Sequence, residues 1–319
     1  MTNATWSLLA VFCCLSLVAT ALVSGAETKP PVCQFVPDEN GMVLRMPDGR
    51  VVFSYMTRKP AASNLTANSV CCLYPVNAPS GTRVVDFAPG DHRHHRGVFL
   101  AWHTMNCGEQ RADFWGWGEM SPTENRVIRN RDLKLVSAAD RSAKIAVHND
   151  WCIGDEVVIQ ESLAIGVQEK EGVFVIDLAF DLLPQCDVQL NQTAFGGFCV
   201  KSRKEGKAVY SNSAGEVKLP NPHHLKPETD WPSAAWYDYT VQLDEGRTVG
   251  IAVIDHNQNP PSTWHNLEPI AMVNPCIVAP GPVAVKKGQP LALKYRLVVH
   301  DGPANRRLLD ALAKDFRTP

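Results

Sequence analysis

Val157–Leu183 has the sequence VVIQESLAIGVQEKEGVFVIDLAFDLL, and its apolar residues recur with the two-residue period of β-strands. Val157–Val167 is predicted to form one strand and Val173–Leu183 another. In the second strand, four apolar side chains share one face and two aspartates share the other: Phe174, Ile176, Leu178 and Phe180 against Asp177 and Asp181. The alternation predicts sheet structure in the centre of the chain.

Further strand patterns lie on both sides of this stretch. Thr248–Asp255 is an apolar run suited to a buried strand, and alternation recurs in Leu291–Val299. Upstream, Met42–Met46 and Val51–Tyr55 flank Pro47–Arg50, whose Pro-Asp-Gly sequence suits the turn of a hairpin.

Only the tail has helical spacing, with four apolar residues on one side: Leu308, Leu309, Leu312 and Phe316. Many short strands, 21 Gly and 23 Pro predict an all-β sandwich or barrel rather than an α/β fold. We expect a large antiparallel β-sandwich with a short C-terminal helix. The expected organisation is a signal peptide at 1–26, a leader at 27–40, the sandwich domain at 41–303, and the C-terminal helix and tail at 304–319.

The first residues have the features of an export signal. Trp6–Val23 carries no charge, and Ser24 and Ala26 occupy the −3 and −1 positions of a cleavage site before Glu27. A cleaved signal predicts a periplasmic or extracellular protein with no membrane domain. The alternative is a retained anchor, because about 18 apolar residues can just span a bilayer.

Charge and cysteine content limit the classes of partner and site. The formal net charge is −2 with acidic and basic residues interspersed, so nucleic acid is not an expected partner. An even number of cysteines beyond the signal permits disulfides, while buried free thiols are the equal alternative. These cysteines show no Cys-x-x-Cys spacing: Cys33, Cys71, Cys72, Cys107, Cys152, Cys186, Cys199 and Cys276.

Asp91–Gly97, DHRHHRG, places three histidines, two arginines and an aspartate in six consecutive positions. Titratable groups at this density are costly near a core unless they serve one another or a ligand. In an extended segment, His92 and His94 lie about 7 Å apart on one face and can share a divalent metal, while His95 points away. Such a metal needs a remote third ligand, for which the candidates are His223, His224, His256 and His265.

The same cluster fits acid–base chemistry, because histidine exchanges protons nearest neutral pH. Asp91 or Asp113 can orient a ring, and Arg93 and Arg96 can bind a carboxylate or an oxyanion. A polar network that only caps a strand is the structural alternative. The residues expected to be catalytic are His94, His95, Asp113 and Asp255.

Trp115 and Trp117 face the same side in strand geometry, beside Asp113 and Glu119. Flat aromatic faces flanked by carboxylates suit sugar rings, and core anchoring of both indoles is the alternative. Trp231 and Trp236, near Asp238, have the same two interpretations. The residues expected to bind substrate are Arg96, Trp102, His103, Trp115, Trp117, His256 and His265.

Two further histidines, each directly after an Asp or a Trp, lie where binding residues are often found. Asp255-His256 ends an apolar run, and Trp264-His265 follows a Pro-Pro turn. His148 and His300 are expected to be surface or turn residues. No Gly-x-Ser-x-Gly sequence supports a serine triad.

The motif at 91–97, followed by Trp102 and Asp113-Phe114-Trp115, resembles the PmoA-like family of secreted bacterial proteins. Three later stretches add to the resemblance, which covers about residues 40–302: Gly250–His256 with Trp264-His265, Asn274-Pro275, and Tyr295–Gly302. The motif positions that the resemblance marks are His92, His94, His95, Trp102, Asp113 and Trp115. Where the family often has proline between its first two histidines, this chain has Arg93, which adds a positive charge.

The resemblance implies a relative of the galactose-mutarotase-type β-supersandwich, whose sites use histidine and carboxylate to move a proton at a sugar's anomeric centre. The family label refers to a membrane copper enzyme, and without a multi-span apolar pattern methane oxidation is not expected here. We therefore expect an exported, carbohydrate-active protein with proton-transfer chemistry of the epimerase, lyase or hydrolase type. The alternatives are a non-catalytic sugar-binding module and a divalent-metal-dependent enzyme; no other cofactor is expected.

Overall fold

The computed structural model describes Met1 and residues 31–219, 233–244 and 246–318. Residues from Pro31 onward form one compact unit. Apart from Met1, the predicted signal peptide lies outside the described residues, as do His223, His224 and Trp231. No described helix is long and apolar enough to cross a membrane.

Strands make up most of the described structure. In chain order the first eleven are β1 (Gln34–Asp38), β2 (Gly41–Arg45), β3 (Val51–Met56), β4 (Cys72–Val76), β5 (Val98–Ala101), β6 (Met105–Cys107), β7 (Gln110–Ala112), β8 (Arg126–Ala138), β9 (Ser142–Ile153), β10 (Glu156–Lys170) and β11 (Val173–Pro184). The others are β12 (Val188–Leu190), β13 (Gly197–Lys201), β14 (Lys207–Asn212), β15 (Gly215–Glu216), β16 (Trp236–Gln242), β17 (Thr248–Asp255), β18 (Thr263–Trp264), β19 (Met272–Val273), β20 (Pro275–Cys276), β21 (Val283–Val285) and β22 (Leu291–Asp301). A 3₁₀ turn at Glu268–Ile270 and the helix α1 (Arg306–Arg317) complete the described elements.

Two large sheets form a sandwich. The seven-stranded sheet has the order β1-β2-β3-β4-β5-β13-β19, and the nine-stranded sheet has the order β15-β14-β16-β17-β22-β11-β10-β9-β8. Every described strand pair is antiparallel. The antiparallel sandwich expected from the alternating patterns is thus confirmed.

The predicted apolar face of β11 lies in the core between the sheets. Phe174 and Ile176 are fully buried, and Leu178 and Phe180 are nearly so. The two sheets meet where Phe198 of β13 stacks on Tyr295 of β22, with ring centroids 4.1 Å apart and planes 9° apart. Packing of this kind, driven by removal of apolar surface from water, accounts for why the alternating strands pair as layers.

The opposite face of β11 is covered in part by α1. Leu309 and Leu312 of the helix are buried against Val173 and Val175, which share that face with Asp177. The side chain of Asn305 caps the helix, accepting from the Leu308 amide at 3.2 Å. The expected apolar side of the helix is therefore confirmed.

Arg296 of β22 links the outer face of the nine-stranded sheet to α1. Its guanidinium donates to both carboxylate oxygens of Asp177, at 2.6 and 2.9 Å, and to Asp315 of α1 at 2.9 Å. The charged residues of the outer sheet face thus hold the helix as well as meeting solvent.

The structure differs from the sequence analysis in two places in the fold. The expected leader at 27–40 contains β1, because Gln34–Asp38 pairs along its whole length with β2. Trp236, one of the proposed sugar-stacking residues, is buried under α1, where its indole donates to Asp310 at 2.9 Å. All eight cysteines from Cys33 onward are free thiols.

Candidate functional site

The histidine motif lies in consecutive turns before β5, and not in a strand. The amide of His95 donates to the carbonyl of His92 at 3.0 Å, and the amide of His92 donates to Pro89 at 3.0 Å. These bonds close two tight turns that reverse the chain within the motif. The expectation that His95 points away from His92 and His94 is therefore wrong, because it assumed an extended segment.

The turns bring all three imidazoles together. Ring centroids are 5.1 Å apart for the stacked pair His92 and His95, and 4.5 Å apart for His94 and His95, which meet edge to face. His92 and His94 are 5.7 Å apart. Nδ1 of His95 is buried without a hydrogen-bond partner among the described residues.

This cluster lines a pocket of about 400 Å³. Two aromatic side chains, Trp117 and Phe195, line it with the imidazoles, and His265 does so as well. The remaining lining is apolar and includes Leu267, Ile270 and Met272. A mostly apolar cavity of this size with a few converging polar groups is typical of small-molecule sites.

The imidazoles are unprotonated at neutral pH. Burial lowers the pKa of His94 to about 3, and the charges of His92 and Arg96 add to the effect. Burial likewise lowers the pKa of His95 well below its usual range, and that of His92 less. A neutral ring offers one N–H donor and one acceptor nitrogen, so each can bond to a hydroxyl in either sense.

Asp113 shapes the loop that carries Trp117 and does not face the imidazoles. Its two carboxylate oxygens accept from the amides of Gly116 and Gly118, each at 2.7 Å. Burial raises its pKa against the opposing effect of these amides. Gly116 has φ +98°, and a Cβ there would lie 2.4 Å from Cβ of Ala67, so this turn requires glycine.

Arg96 is fully buried behind the cluster. Its guanidinium donates to the carbonyls of His94 at 3.2 Å, Trp115 at 2.9 Å and Phe114 at 3.2 Å. It also lies over the ring of Phe99, 4.3 Å from the centroid. The side chain therefore joins the histidine turn to the Trp115 loop and has no exposed surface for a ligand.

Three further predicted residues support the pocket without lining it. His103 donates from Nε2 to the Phe195 carbonyl at 3.0 Å and lies 5.1 Å from the Trp117 ring. Trp115 is fully buried with its ring 5.6 Å from His95. Trp102 is buried beside Trp151 and is a core residue.

Asp255 and His256 lie outside the pocket, close to the end of α1. The Asp255 carboxylate accepts from Asn259 and Ser262, each at 2.6 Å. The His256 ring meets that of Phe316 edge to face at 5.0 Å. Asp255, which the sequence analysis expected to be catalytic together with His94 and His95, is therefore not beside them.

His300 is also placed differently from expectation. It is buried, and its Nε2 is 2.8 Å from Oδ1 of Asp238. His148 is partly exposed and bonds to Ser162 at 3.1 Å, as expected of a surface residue.

The positions of the described side chains test whether His92 and His94 belong to a metal site. There, no group of three or more His, Cys, Asp or Glu side chains is arranged to hold a metal ion. Of the proposed third ligands, His256 is remote and His265 lines the pocket. Although His265 lines the same pocket as His92 and His94, no third side chain among the described residues is placed to complete a metal site with them.

Sequence reasoning missed two residues of the site. Phe195 precedes Gly196-Gly197, and an aromatic residue before paired glycines is a signal that could have been noticed. Lys201 is fully buried at the end of β13, where its ammonium donates to the carbonyl of Ile270. The burial of Lys201 could not be inferred from its position after the apolar residues of β13, because lysines at strand ends are usually exposed.

One protein family matches most of the chain. Residues 43–314 match the family described as "Family of unknown function (DUF6807)". The chain belongs to this family. The DUF6807 match spans the histidine motif, the nine-stranded sheet, the seven-stranded sheet apart from β1 and the start of β2, and most of α1. No curated protein matches the chain.

Solved structures similar to this DUF6807 protein share little sequence with it. One is a galactose mutarotase related enzyme from Lactobacillus acidophilus, with 8% identity and a TM-score of 0.37 over 84% of this chain and 97% of that chain. Another is the galactosidase domain of the alpha-galactosidase-sucrose kinase AgaSK, with 8% identity and a TM-score of 0.39 over 85% and 40%. A polysaccharide lyase matches with 13% identity and a TM-score of 0.35 over 90% and 35%. The resemblance to the PmoA-like family is not confirmed by these matches and stays a prediction.

Proposed function

We propose that this protein is exported and binds a carbohydrate or carbohydrate derivative in the histidine pocket, where an unprotonated imidazole accepts a proton from it. The observation that carries the proposal is the packing of three imidazoles, at centroid distances of 4.5 to 5.7 Å, beside the aromatic rings of Trp117 and Phe195. The C–H face of a sugar ring packs on aromatic rings, while its hydroxyls bond to ring nitrogens.

His94 is the best candidate for the proton acceptor. Its ring is partly exposed and lines the pocket, whereas His95 is buried. The low pKa of His94 keeps a nitrogen lone pair free across the neutral range, and it also makes the ring a weaker base than an ordinary histidine. The proposed step moves a proton from a C–H next to a carbonyl to the imidazole, and the electron pair stays on the ligand as an enolate. Epimerases and lyases begin with this step.

A non-catalytic sugar-binding module is the second candidate. Asp113 favours it, because both its oxygens are committed to the amides of Gly116 and Gly118. Among the described residues no carboxylate then orients the ring of His94, a role that carboxylates often have beside catalytic histidines. Under this alternative the imidazoles serve only as hydrogen-bonding groups.

Solvent-exchange measurements distinguish the two candidates. A panel of sugars and keto-sugars is incubated with the protein in D₂O, and loss of a ligand C–H signal is followed by proton NMR. We expect exchange with the wild type, none with His94→Ala, and a nearly unchanged melting temperature. The matched control, His148→Ala, should exchange like the wild type. Binding without exchange supports the sugar-binding module. The absence of both binding and exchange would contradict the proposal.

A further inference from the structure

Two fully buried cations lie immediately behind the pocket. The guanidinium of Arg96 donates to the carbonyl of His94, and the ammonium of Lys201 donates to the carbonyl of Ile270. His94 and Ile270 both line the pocket. Each positive charge is therefore one hydrogen bond behind a residue that a ligand would contact.

Neither cation has an ion-pair partner among the described residues. The neighbouring carboxylates are engaged elsewhere: Asp86 lies 3.2 Å from Arg83, and Asp91 lies 2.7 Å from Lys204. Asp113 is held by backbone amides. Buried charge without a partner is costly to retain, and away from water its field extends further than at a surface.

Asp86 and Asp91 offset part of the Lys201 charge and Asp113 part of the Arg96 charge, but the described lining of the pocket adds no negative charge of its own. None of the described residues that line it is a carboxylate, and its polar groups are histidine side chains. A cleft with walls of low dielectric concentrates a field of one sign on the ligand it encloses. An anionic group in the pocket would meet N–H donors and attractive charge, with no carboxylate to repel it among the described lining residues.

We infer that the ligand is a sugar acid, a sugar ring that carries a carboxylate, bound in preference to neutral sugars. The ring part of this inference rests on the proposed function, and the carboxylate part rests on Arg96 and Lys201. The aromatic rings of Trp117 and Phe195 contact the apolar face of the sugar, and its carboxylate lies toward His94.

Isosteric ligand pairs test this preference directly. Calorimetric titration of the purified protein with glucuronate and glucuronamide, and with galacturonate and galacturonamide, compares ligands that differ chiefly in charge. We expect each acid to bind about tenfold more tightly than its amide, the factor that one unit of uncompensated charge near the site supplies. The preference should decrease only modestly with added salt, because buried charges are poorly screened.

A charge-removing substitution identifies the source of the preference. Lys201→Met retains the apolar stem and removes the ammonium, and it should reduce the acid-to-amide affinity ratio about threefold, because Arg96 still contributes its share. The matched control is Lys286→Met, at an exposed lysine that pairs with Asp187. That control should change the ratio by less than about twofold, because solvent screens the charge. If Lys201→Met does not fold, the wild-type ratios still decide the inference.

The outcomes separate this inference from the proposed function. Neutral sugars and amides that bind as tightly as the acids would overturn the inference and leave the proposed function standing. Failure of both acids and neutral sugars to bind would overturn both. A clear acid preference that Lys201→Met reduces and Lys286→Met retains supports the inference.

Discussion

The imidazole of His300 passes beside Gly250 to reach the carboxylate of Asp238, with 2.8 Å between Nε2 and Oδ1. His300 belongs to β22 and Asp238 to β16, and β17 lies between them in the sheet. Nδ1 of the same ring is 3.1 Å from the Gly302 carbonyl. Because both ring nitrogens face oxygen acceptors, the imidazolium is the form that satisfies both bonds.

The ion pair predicts that stability decreases as the pH rises. Burial lowers the pKa of His300, but the hydrogen bond and charge of Asp238 outweigh it, so the folded-state pKa is raised. The stabilisation is fully present below the unfolded pKa of about 6.5 and is lost as pH rises through the folded value. We expect His300→Gln to lower the free energy of unfolding in urea more at about pH 6 than at about pH 9. An equal loss at the two pH values would contradict this prediction. His148→Gln, at a partly exposed histidine, is the control.

Gly250 should be intolerant of even a methyl group. A Cβ at this position would lie 2.5 Å from the His300 ring and 2.9 Å from Oγ1 of Thr240. Gly250→Ala should therefore cost about 1–3 kcal/mol in the free energy of unfolding, the usual range for overpacking. Gly281→Ala, where no atom lies within 4 Å, should leave stability nearly unchanged. Similar unfolding curves for the two variants would show that the pair does not depend on this space.

The histidine cluster predicts the opposite pH dependence. With a folded pKa of about 3, His94 takes up a proton more readily in the unfolded chain. Its contribution is therefore complete above about pH 6.5 and is lost as pH falls toward the folded value, with a slope of at most about 1.4 kcal/mol per pH unit. Urea unfolding of His94→Gln between about pH 4 and pH 7 should show a shallower loss of stability than the wild type. Parallel curves for the two proteins would argue against a strongly lowered pKa.

Asp113 should control both loop order and ligand binding. Asp113→Asn keeps one acceptor oxygen and places an amide N–H₂ opposite the N–H of Gly116 or Gly118. We expect a loss of about 1–3 kcal/mol in stability, the usual cost of leaving a buried polar group unsatisfied. Hydrogen exchange of those two amides should accelerate, and ligand affinity should fall because Trp117 loses its support. Unchanged amide protection in Asp113→Asn would rule out this role.

Cys186 should be the first of the eight described thiols to react. It is partly exposed, whereas the other seven are buried. Burial raises the pKa of its neighbour Cys107 to about 12, so that thiol should stay unreactive in the folded protein. Brief iodoacetamide treatment followed by peptide mapping should show label at Cys186 ahead of the other positions, and Cys186→Ser should remove the fast phase. Early labelling of Cys107 would indicate opening of β6.

The strands were largely predictable because their pattern is local. Alternation in Val173–Leu183 and the apolar run Thr248–Asp255 each correspond to a strand, since burial of one or both faces imposes its period on the sequence. The edge strand β1 was missed because Gln34–Asp38 has mixed polarity and contains Pro37, which a sheet edge tolerates.

The site was predictable by residue type but not by arrangement. His92, His94 and His95 were singled out by their density, but their relative positions depend on two turns that could not be predicted from the motif. Asp113 and Asp255 look alike in sequence. One is bound by backbone amides near the pocket and the other lies beside α1.

The sequence by itself determined the all-β class and the terminal helix, because these follow from periodicity, and it marked the 91–97 motif as a candidate site because crowding titratable groups is costly. Only the tertiary structure decided which groups meet. It placed Phe195 and Lys201 beside the histidines, turned Arg96 and Asp113 toward backbone partners, and paired His300 with Asp238. The physical reason is that contact, burial and pKa depend on neighbours brought from distant strands, and such neighbours leave no local period in the chain.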